Sequence, residues 1–386
     1  MYTAITNATP FIRLGNKNYT PSDEWKSLSQ WCGIFNQIVL LKPEITSDKV
    51  PEGWVQIPGN IFVQRLCTHA ASFLRRKNET KRAMRIIAND ISILYCRMPN
   101  YEGYWCYKVA KEKNIPLLLE LHGDWETAIF NEDFQGLLRK ITRPFRAIMA
   151  RHAVCTMAEK AKCVLSIGPA LREKYIPKAV PTLLSTNHLL RESDYQPRTD
   201  NALKDPPRIL FVGALQRRKG LHILFSALEL LRISQPRFEL LIVGDGTQQH
   251  ELQDLAKRKG ISDHIRFIGK IAHGEALFNY YKNADLFVLP SIAAEGVPRV
   301  IHEAMAFGCP VLATDNGSVR WQLQDGAGIV VPPNNPLELK NAIERILQND
   351  DLRRYLSERG YKKSLQYSLE KQTESISKFI KSIFPN

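Results

Sequence analysis

The stretch Arg208-Ile209-Leu210-Phe211-Val212-Gly213-Ala214-Leu215-Gln216-Arg217-Arg218-Lys219-Gly220 decides the fold. A β-type run at 208–212 ends in a glycine, a basic loop follows, and helical spacing takes over at 221–231. A second β run comes at 239–243. A strand, a helix and a strand in this order make a parallel unit, because parallel neighbours need a crossover connection. The rhythm continues with a helix at 249–259, strands at 265–268 and 285–289, a helix at 300–307, a strand at 311–313 and a helix at 337–348. This predicts a doubly wound α/β sheet. Ligands bind such sheets outside the carboxyl ends of the strands, so functional residues are expected in the loops that follow them.

The preceding half has the same rhythm in weaker form. A helix is expected at 23–35 with Ser22 as its cap, strands at 37–41, 91–96 and 116–121, a long basic helix at 61–88 and a shorter one at 104–113. The polar stretch 191–207, with Pro197, Pro206 and Pro207, reads as a linker. The division expected is therefore a first Rossmann-like domain at 1–195 and a second at 205–365. The final stretch 369–383 is amphipathic, with Ile376, Phe379, Ile380 and Ile383 on one face.

Composition narrows the class. With 386 residues, 44% hydrophobic and 24% charged, the chain is long enough for a large core without staples. The longest charge-free stretch, 27–41, contains Gln30, Asn36 and Gln37, too short and polar to span a bilayer. No leader pattern is visible, since the first basic residue is Arg13. The seven cysteines include no C-x-x-C pair and read as buried free thiols of a cytoplasmic protein. The net charge of +14 leans towards residues 1–200, where 28 basic residues face 19 acidic ones. An anionic partner follows, such as the inner face of a membrane or a phosphorylated substrate. Nucleic acid is disfavoured, because the basic residues lack the aromatic interleaving of a stacking platform. The stretch from Arg65 to Arg85, with seven cations and Glu79, and a second zone from Arg139 to Arg151 are candidates for peripheral membrane contact; a solvated helix face is the competing reading for each.

Three motifs carry chemistry. In the quoted loop, Gly213 lets a ligand approach the backbone, the helix start offers free N–H groups, and Arg217, Arg218 and Lys219 add cations. Together they suit a diphosphate, although a solvated basic turn is the bland alternative. Walker spacing is absent. Val243-Gly244-Asp245-Gly246 is a tight strand-to-helix turn, and Gln249 stands where a dehydrogenase fingerprint needs its third glycine. The sharpest feature runs from Pro290 to Val311, with Glu295, Gly296, Val297, Pro298, Arg299 and Glu303. Glu295 falls in a loop after the strand that ends at Leu289, and Pro298 suits the first turn of the helix that follows. Taken on one helix, Glu295 and Glu303 are offset by roughly 80° and can serve one elongated ligand at two points. A bare carboxylate among Ala304, Met305, Ala306 and Phe307 is costly, so Glu303 needs a partner. His302-Glu303 is no zinc motif, because Ala306 stands where a second histidine belongs.

Gly213…Lys219-Gly220, Val243-Gly244-Asp245-Gly246, 284–291 and Glu295…Glu303, in this order and spacing over about 208–350, resemble glycosyltransferase family 4. The first half resembles it only in rhythm and in Glu120-Leu121-His122-Gly123. The resemblance implies a GT-B fold, two Rossmann-like doubly wound domains facing a central cleft, the first binding acceptor and the second donor, with the C-terminal helix at 366–386 packing back on the first. It implies retaining transfer from a nucleotide-diphosphate sugar, UDP- or GDP-linked, to a lipid-linked or polysaccharide acceptor, with no cofactor and no metal. His122 and Glu295 would be catalytic. Gly213, Arg218, Lys219, Gly244, Ile268, Gly296, Val297, Pro298, Arg299 and Glu303 would bind the donor, and Asp124 and Trp125 the acceptor. Lys219 and an arginine would neutralise the leaving diphosphate. The family's arginine after the first glycine is here Ala214, so Arg218, or else Arg217, is expected to supply the charge. The glycine-rich loop after the first strand has its nearest match in Gly15-Asn16-Lys17-Asn18. No Asp-x-Asp stands near these loops, and Asn349-Asp350-Asp351 has adjacent acids. Alternatives are a sugar-nucleotide epimerase and a catalytically silent nucleotide or glycan binder.

Overall fold

A computed structural model describes residues 2–6, 9–131, 141–200 and 202–385. The chain forms two compact units, Met1–Leu189 with Gln372–Asn386, and Leu190–Lys371.

The second unit holds β11 (Arg208–Val212), β12 (Glu239–Val243), β13 (Ile265–Gly269), β14 (Leu286–Leu289), β15 (Val311–Thr314) and β16 (Ile329–Val331). Their order is β13-β12-β11-β14-β15-β16, all parallel. This is the Rossmann order, and the connection changes sides between β11 and β14. Helices cover both faces, so the strands are buried on both sides and read as unbroken apolar runs such as Leu240, Leu241, Ile242 and Val243. The stretch 191–207 is no free linker. Tyr195 is buried, its hydroxyl 2.6 Å from His302 Nε2, and the Gln196 N–H donates to the Ala306 carbonyl. Its prolines suggested a tether, but its one aromatic ring anchors it to the unit.

The first unit contains β1 (Tyr2–Thr6), β2 (Phe11–Leu14), β3 (Lys17–Pro21), β4 (Ile38–Ile45), β5 (Trp54–Gln56), β6 (Phe62–Thr68), β7 (Ile91–Met98), β8 (Leu117–Leu121), β9 (Cys163–Ile167) and β10 (Thr182–Ser185). The run β6-β4-β1-β7-β8-β9-β10 is parallel and repeats the Rossmann order, while β2, β3 and β5 extend the sheet from β4. Its core centres on Ile5, Leu40, Tyr95, Leu118 and Leu165, with Ile376 and Ile380 of the Leu369–Ile383 helix packed into it.

Three local expectations change. The 61–88 helix is a strand, β6, and then a helix at Phe73–Ile87. Val63, Leu66 and Cys67 are all buried, an i, i+3, i+4 pattern that imitates a helix. A register shift in the β4–β6 pairing turns both Leu66 and Cys67 inward. The 23–35 helix is Ser22–Ser29 followed by a 3₁₀ turn at Gln30–Gly33, and Pro21 rather than Ser22 occupies the cap position. Gly15-Asn16 is the turn of the β2–β3 hairpin, with Gly15 at φ 56°, so it is not the loop after β1. Of the seven free cysteines five are buried, whereas Cys32 is exposed and Cys155 half-buried.

Candidate active site

In the second unit the loops after β11, β12, β13 and β14 meet at the carboxyl edge of the sheet, and glycines make the meeting possible. The Gly213 N–H donates to the Val243 carbonyl and the Gly244 N–H to the Gly269 carbonyl. A Cβ on Gly244 would lie 2.0 Å from the Gly213 carbonyl oxygen, and one on Gly220 would lie 1.9 Å from that of Pro290. Gly220 also has φ 72°, and it starts the Leu221–Ser234 helix. The backbone there tolerates no side chain.

This packing delivers the basic loop to Glu295. Lys219 Nζ donates to Glu295 Oε1 at 2.6 Å, the Ser291 hydroxyl donates to the same oxygen at 2.6 Å, and Arg218 Nη1 lies 3.7 Å from it. Arg218 is braced by its hydrogen bond to Gln216, and the Ile292 N–H donates to the Arg218 carbonyl. Arg217 is exposed. Of the two candidates for the charge missing at Ala214, the structure turns Arg218 towards Glu295. Ser291 is itself buried, and its carbonyl accepts from Thr314 Oγ1 at 2.5 Å and from Asn316 Nδ2. Glu295 lies in the loop after the strand, as expected. The helix is Arg299–Ala306 with Pro298 at its cap position, so the 80° offset of a shared helix does not apply, and the loop sets the separation of the two glutamates. Gly296 is half-buried, Val297 and Pro298 are buried, and the Pro298 carbonyl accepts from Gln322 Nε2 at 3.0 Å. Arg299 opens the helix, whose free N–H groups favour an anion.

Glu303 has the partner that burial demanded. The Tyr281 hydroxyl donates to Oε2 at 2.7 Å, and His273 Nε2 lies 3.4 Å from Oε1. Burial, reinforced by the Glu303 charge, pushes the Tyr281 phenol well up, so it remains a donor. The neighbouring His302 is held down to about 3 by burial and is neutral at ordinary pH. The Ile268 side chain is not brought to this edge: it lines a groove of about 250 Å³ with Arg208 and Glu239, the first residues of β11 and β12, and with Tyr280. Among the described residues no three His, Cys, Asp or Glu side chains converge as a metal cluster, and Asn349 caps the Asp350–Ser364 helix.

In the first unit His122 follows β8. Its Nε2 lies 2.5 Å from Glu120 Oε1, while Arg97 Nε is 3.4 Å from Glu120 Oε2 and donates through Nη2 to Ser27 at 2.7 Å. Glu120 is buried, so its carboxylate is held in place beside the ring. Sequence reasoning missed Arg97 and gave Glu120 no role; Glu and Arg within all-apolar strand runs were the available signal. Asp124 accepts from Lys174 Nζ at 2.7 Å, from Thr127 and from the Tyr175 hydroxyl. Burial would raise this carboxyl, but these hydrogen bonds outweigh it and hold it below the usual range. The Trp125 indole is 8% exposed and packs edge-on to Tyr101, so it forms a wall rather than a stacking surface.

The basic stretch is less uniform than its sequence. Arg65 pairs with Glu44, Arg75 with Glu79, Arg76 with Glu102 and Arg85 with Glu112. In the second zone, Arg139 lies outside the described residues, and Arg151 pairs with Glu126 at 3.5 Å. No helix among the described residues is long and apolar enough to cross a membrane.

Two Rossmann-like units and an edge built of glycines, cations and a glutamate pair define a GT-B transferase. The family described as glycosyl transferases group 1 matches residues 194–363. A phosphatidyl-myo-inositol mannosyltransferase of Mycobacterium leprae is 30% identical over 279 residues, covering 70% of this chain and 68% of its own. An alpha-D-kanosaminyltransferase of Streptomyces kanamyceticus is 27% identical, covering 68% and 69%. Among solved structures, sucrose-phosphate synthase of Thermosynechococcus elongatus superposes with a TM-score of 0.74 at 20% identity over 99% of this chain and 98% of that one. Anabaena HepE, solved with UDP, gives 0.73 at 16% over 99% of each. The chain belongs to the group 1 glycosyltransferases and is a glycosyltransferase.

Proposed function

We propose that the chain transfers a sugar, with retention, from a nucleotide-diphosphate sugar to a lipid-linked or polysaccharide acceptor, in the cytoplasm at an anionic membrane face. The carrying observation is the convergence of Lys219, Arg218 and Ser291 on Glu295 at the edge where β11 and β14 adjoin. Cleaving a glycosyl–phosphate bond builds negative charge on the diphosphate. Fixed cations and the starts of the Leu221–Ser234 and Arg299–Ala306 helices stabilise that charge without a metal. In this reading Gly213 and Gly244 let the diphosphate and base approach the backbone. Gly296, Val297, Pro298 and Arg299 present backbone and charge to the donor. Glu295 meets the donor sugar, and Glu303, aimed by Tyr281 and His273, holds the ribose diol. His122 is the catalytic candidate of the first unit, with Asp124 and Trp125 shaping the acceptor loop from behind. The relatives' names, a mannosyltransferase and a kanosaminyltransferase, support sugar transfer, and the UDP in the HepE structure supports the donor class.

The test is calorimetric titration with UDP and GDP. One of them should bind, and Lys219→Ala should weaken it by about 1.5–3 kcal/mol, the worth of a charge-assisted contact. Binding and turnover should survive EDTA. An unchanged dissociation constant in Lys219→Ala, or activity abolished by EDTA and restored by manganese, refutes this account of the leaving group.

A further inference from the structure

The carboxyl edge of the first sheet carries a row of buried charge. Thr6 of β1 pairs with Leu41 of β4 and with Cys96 of β7, and Cys96 pairs with Leu119 of β8. One residue further along β4, β7 and β8 stand Lys42, Arg97 and Glu120, which therefore share a row and a face of the sheet. Lys42 and Glu120 are buried, and the Arg97 side chain is only 13% exposed.

The Ser22–Ser29 helix meets this row at two points. Its Glu24 and Ser27 are three residues apart and so lie on one helix face. Glu24 is 3.8 Å from Lys42 Nζ, and Ser27 accepts from Arg97 Nη2 at 2.7 Å. Glu24 and Lys42 also grip the segment that leaves β1. The Thr9 hydroxyl donates to Glu24 Oε2 at 3.1 Å, and the Thr9 carbonyl accepts from Lys42 Nζ at 3.0 Å. Burial disfavours the charge on Lys42 and on Arg97, and the Glu24 carboxylate opposes this at both. Arg97 Nε in turn lies 3.4 Å from Glu120 Oε2, whose other oxygen is beside His122. One short helix thus ties the segment leaving β1 and the segment following β8 to the same support.

Stability alone does not account for this row, because desolvation offsets the attraction of buried ions and apolar side chains of like volume serve as well. What the ions add is direction. A guanidinium presents its donors in a rigid fork, and a fork held at Ser27 fixes the carboxylate it faces. We propose that the Ser22–Ser29 helix braces this edge and that Arg97 is a positioning residue, which holds Glu120 in place against His122. The proposal rests on the reading of His122 as the catalytic candidate of the first unit.

The experiment uses two variants that empty no large volume. Arg97→Lys keeps the charge without the fork, and Ser27→Ala removes the strut. Turnover is followed as release of UDP from UDP-glucose or of GDP from GDP-mannose, with water as the acceptor. Arg97→Lys should lower kcat by about tenfold or more and Ser27→Ala by a smaller factor, with the affinity for UDP or GDP unchanged. In a His122→Ala background neither should lower kcat further, because groups that act as one unit are not additive. With isotope-labelled histidine, the His122 Cε1–H signal should shift in both variants, while the histidines of the second unit keep theirs. The brace is overturned if the losses multiply in the His122→Ala background, if both variants turn over like wild type, or if the His122 signal stays unmoved. Wild-type turnover in His122→Ala alone refutes the reading of His122 and the brace with it, so the two failures are told apart.

Discussion

The two units carry the same strand order, β6-β4-β1-β7-β8-β9 and β13-β12-β11-β14-β15-β16, yet the first is readable from its sequence only in part, at β4, β7, β8 and the helix between the last two. The second runs strand, glycine turn, helix without interruption, and its candidate site is held in place by glycine turns. Gly213, Gly220 and Gly244 mark where loops touch, and a residue type selected by sterics is visible in one dimension. The first inserts a hairpin and an extra strand, β2, β3 and β5, between β1 and β6, breaking the alternation. Its candidate site is made of side chains, Arg97, Glu120 and His122, on and just after two adjacent strands. Loops positioned by glycine announce themselves in the sequence, whereas side chains that meet across neighbouring strands wait for the sheet to assemble.

The largest effect should come from removing one charge in each unit. Glu295→Gln keeps shape and should lower turnover by on the order of a hundredfold or more, with affinity for the free nucleoside diphosphate nearly intact. His122→Ala should also spare nucleotide affinity, and Glu120→Gln should reproduce part of its loss of turnover by removing the charge beside the ring. Transfer kinetics beside calorimetric titration separate the two. Lost nucleotide affinity in Glu295→Gln would place this residue on the nucleotide rather than the sugar, and wild-type turnover in His122→Ala would remove the first unit from the chemistry.

A second contrast uses two glycines with similar φ. Gly15, in the hairpin turn, has nothing within 4 Å of an added Cβ, so Gly15→Ala should cost only the left-handed backbone penalty, ~1–2 kcal/mol. Gly220→Ala drives a Cβ to 1.9 Å from the Pro290 carbonyl oxygen and should cost on the order of 3 kcal/mol or more, weakening nucleotide binding with it. Denaturant unfolding of both variants measures the difference. Equal losses would deny that the edge of the second unit is sterically locked.

The smallest effect concerns Lys42, buried on β4, where it donates to the Thr9 carbonyl at 3.0 Å and lies 3.8 Å from Glu24. Burial lowers its pKa from 10.5 to about 8, despite Glu24. Between these values the unfolded chain binds the proton and the folded chain does not. Stability therefore rises as pH increases from about 8 towards 10.5, by at most about 1.4 kcal/mol per pH unit. Lys42→Met should flatten this part of the stability–pH curve. An equal slope in wild type and variant would mean that Lys42 keeps its charge to higher pH.

Much of the candidate site was legible, for reasons that differ by residue. Glu295 and Glu303 stood out by spacing, and the demand for a partner on Glu303 followed from its apolar neighbours. That the partners are Tyr281 and His273 did not, because they lie on the segment between β13 and β14, brought close only by the wound sheet. The choice of Arg218 over Arg217 rested on which way a three-residue turn faces, and no composition encodes that. The β6 strand was read as helix because a register shift placed buried residues at helical spacing. Trp125 was expected to bind the acceptor, but its ring is buried with Tyr101 packed against it, and only the packed helices show that.

The sequence alone determined the alternation that forces a parallel sheet, the glycines without which its carboxyl edge could not close, and the acids and cations that suit a nucleotide sugar. Each is local, set by sterics or by the chemistry of a residue type. Tertiary structure decided which cations face Glu295, that Glu120 lies beside His122, and that Lys42 and Arg97 meet Glu24 and Ser27 of one helix. These depend on distances between residues far apart in the chain, and packing sets such distances only once the sheet and its helices have assembled.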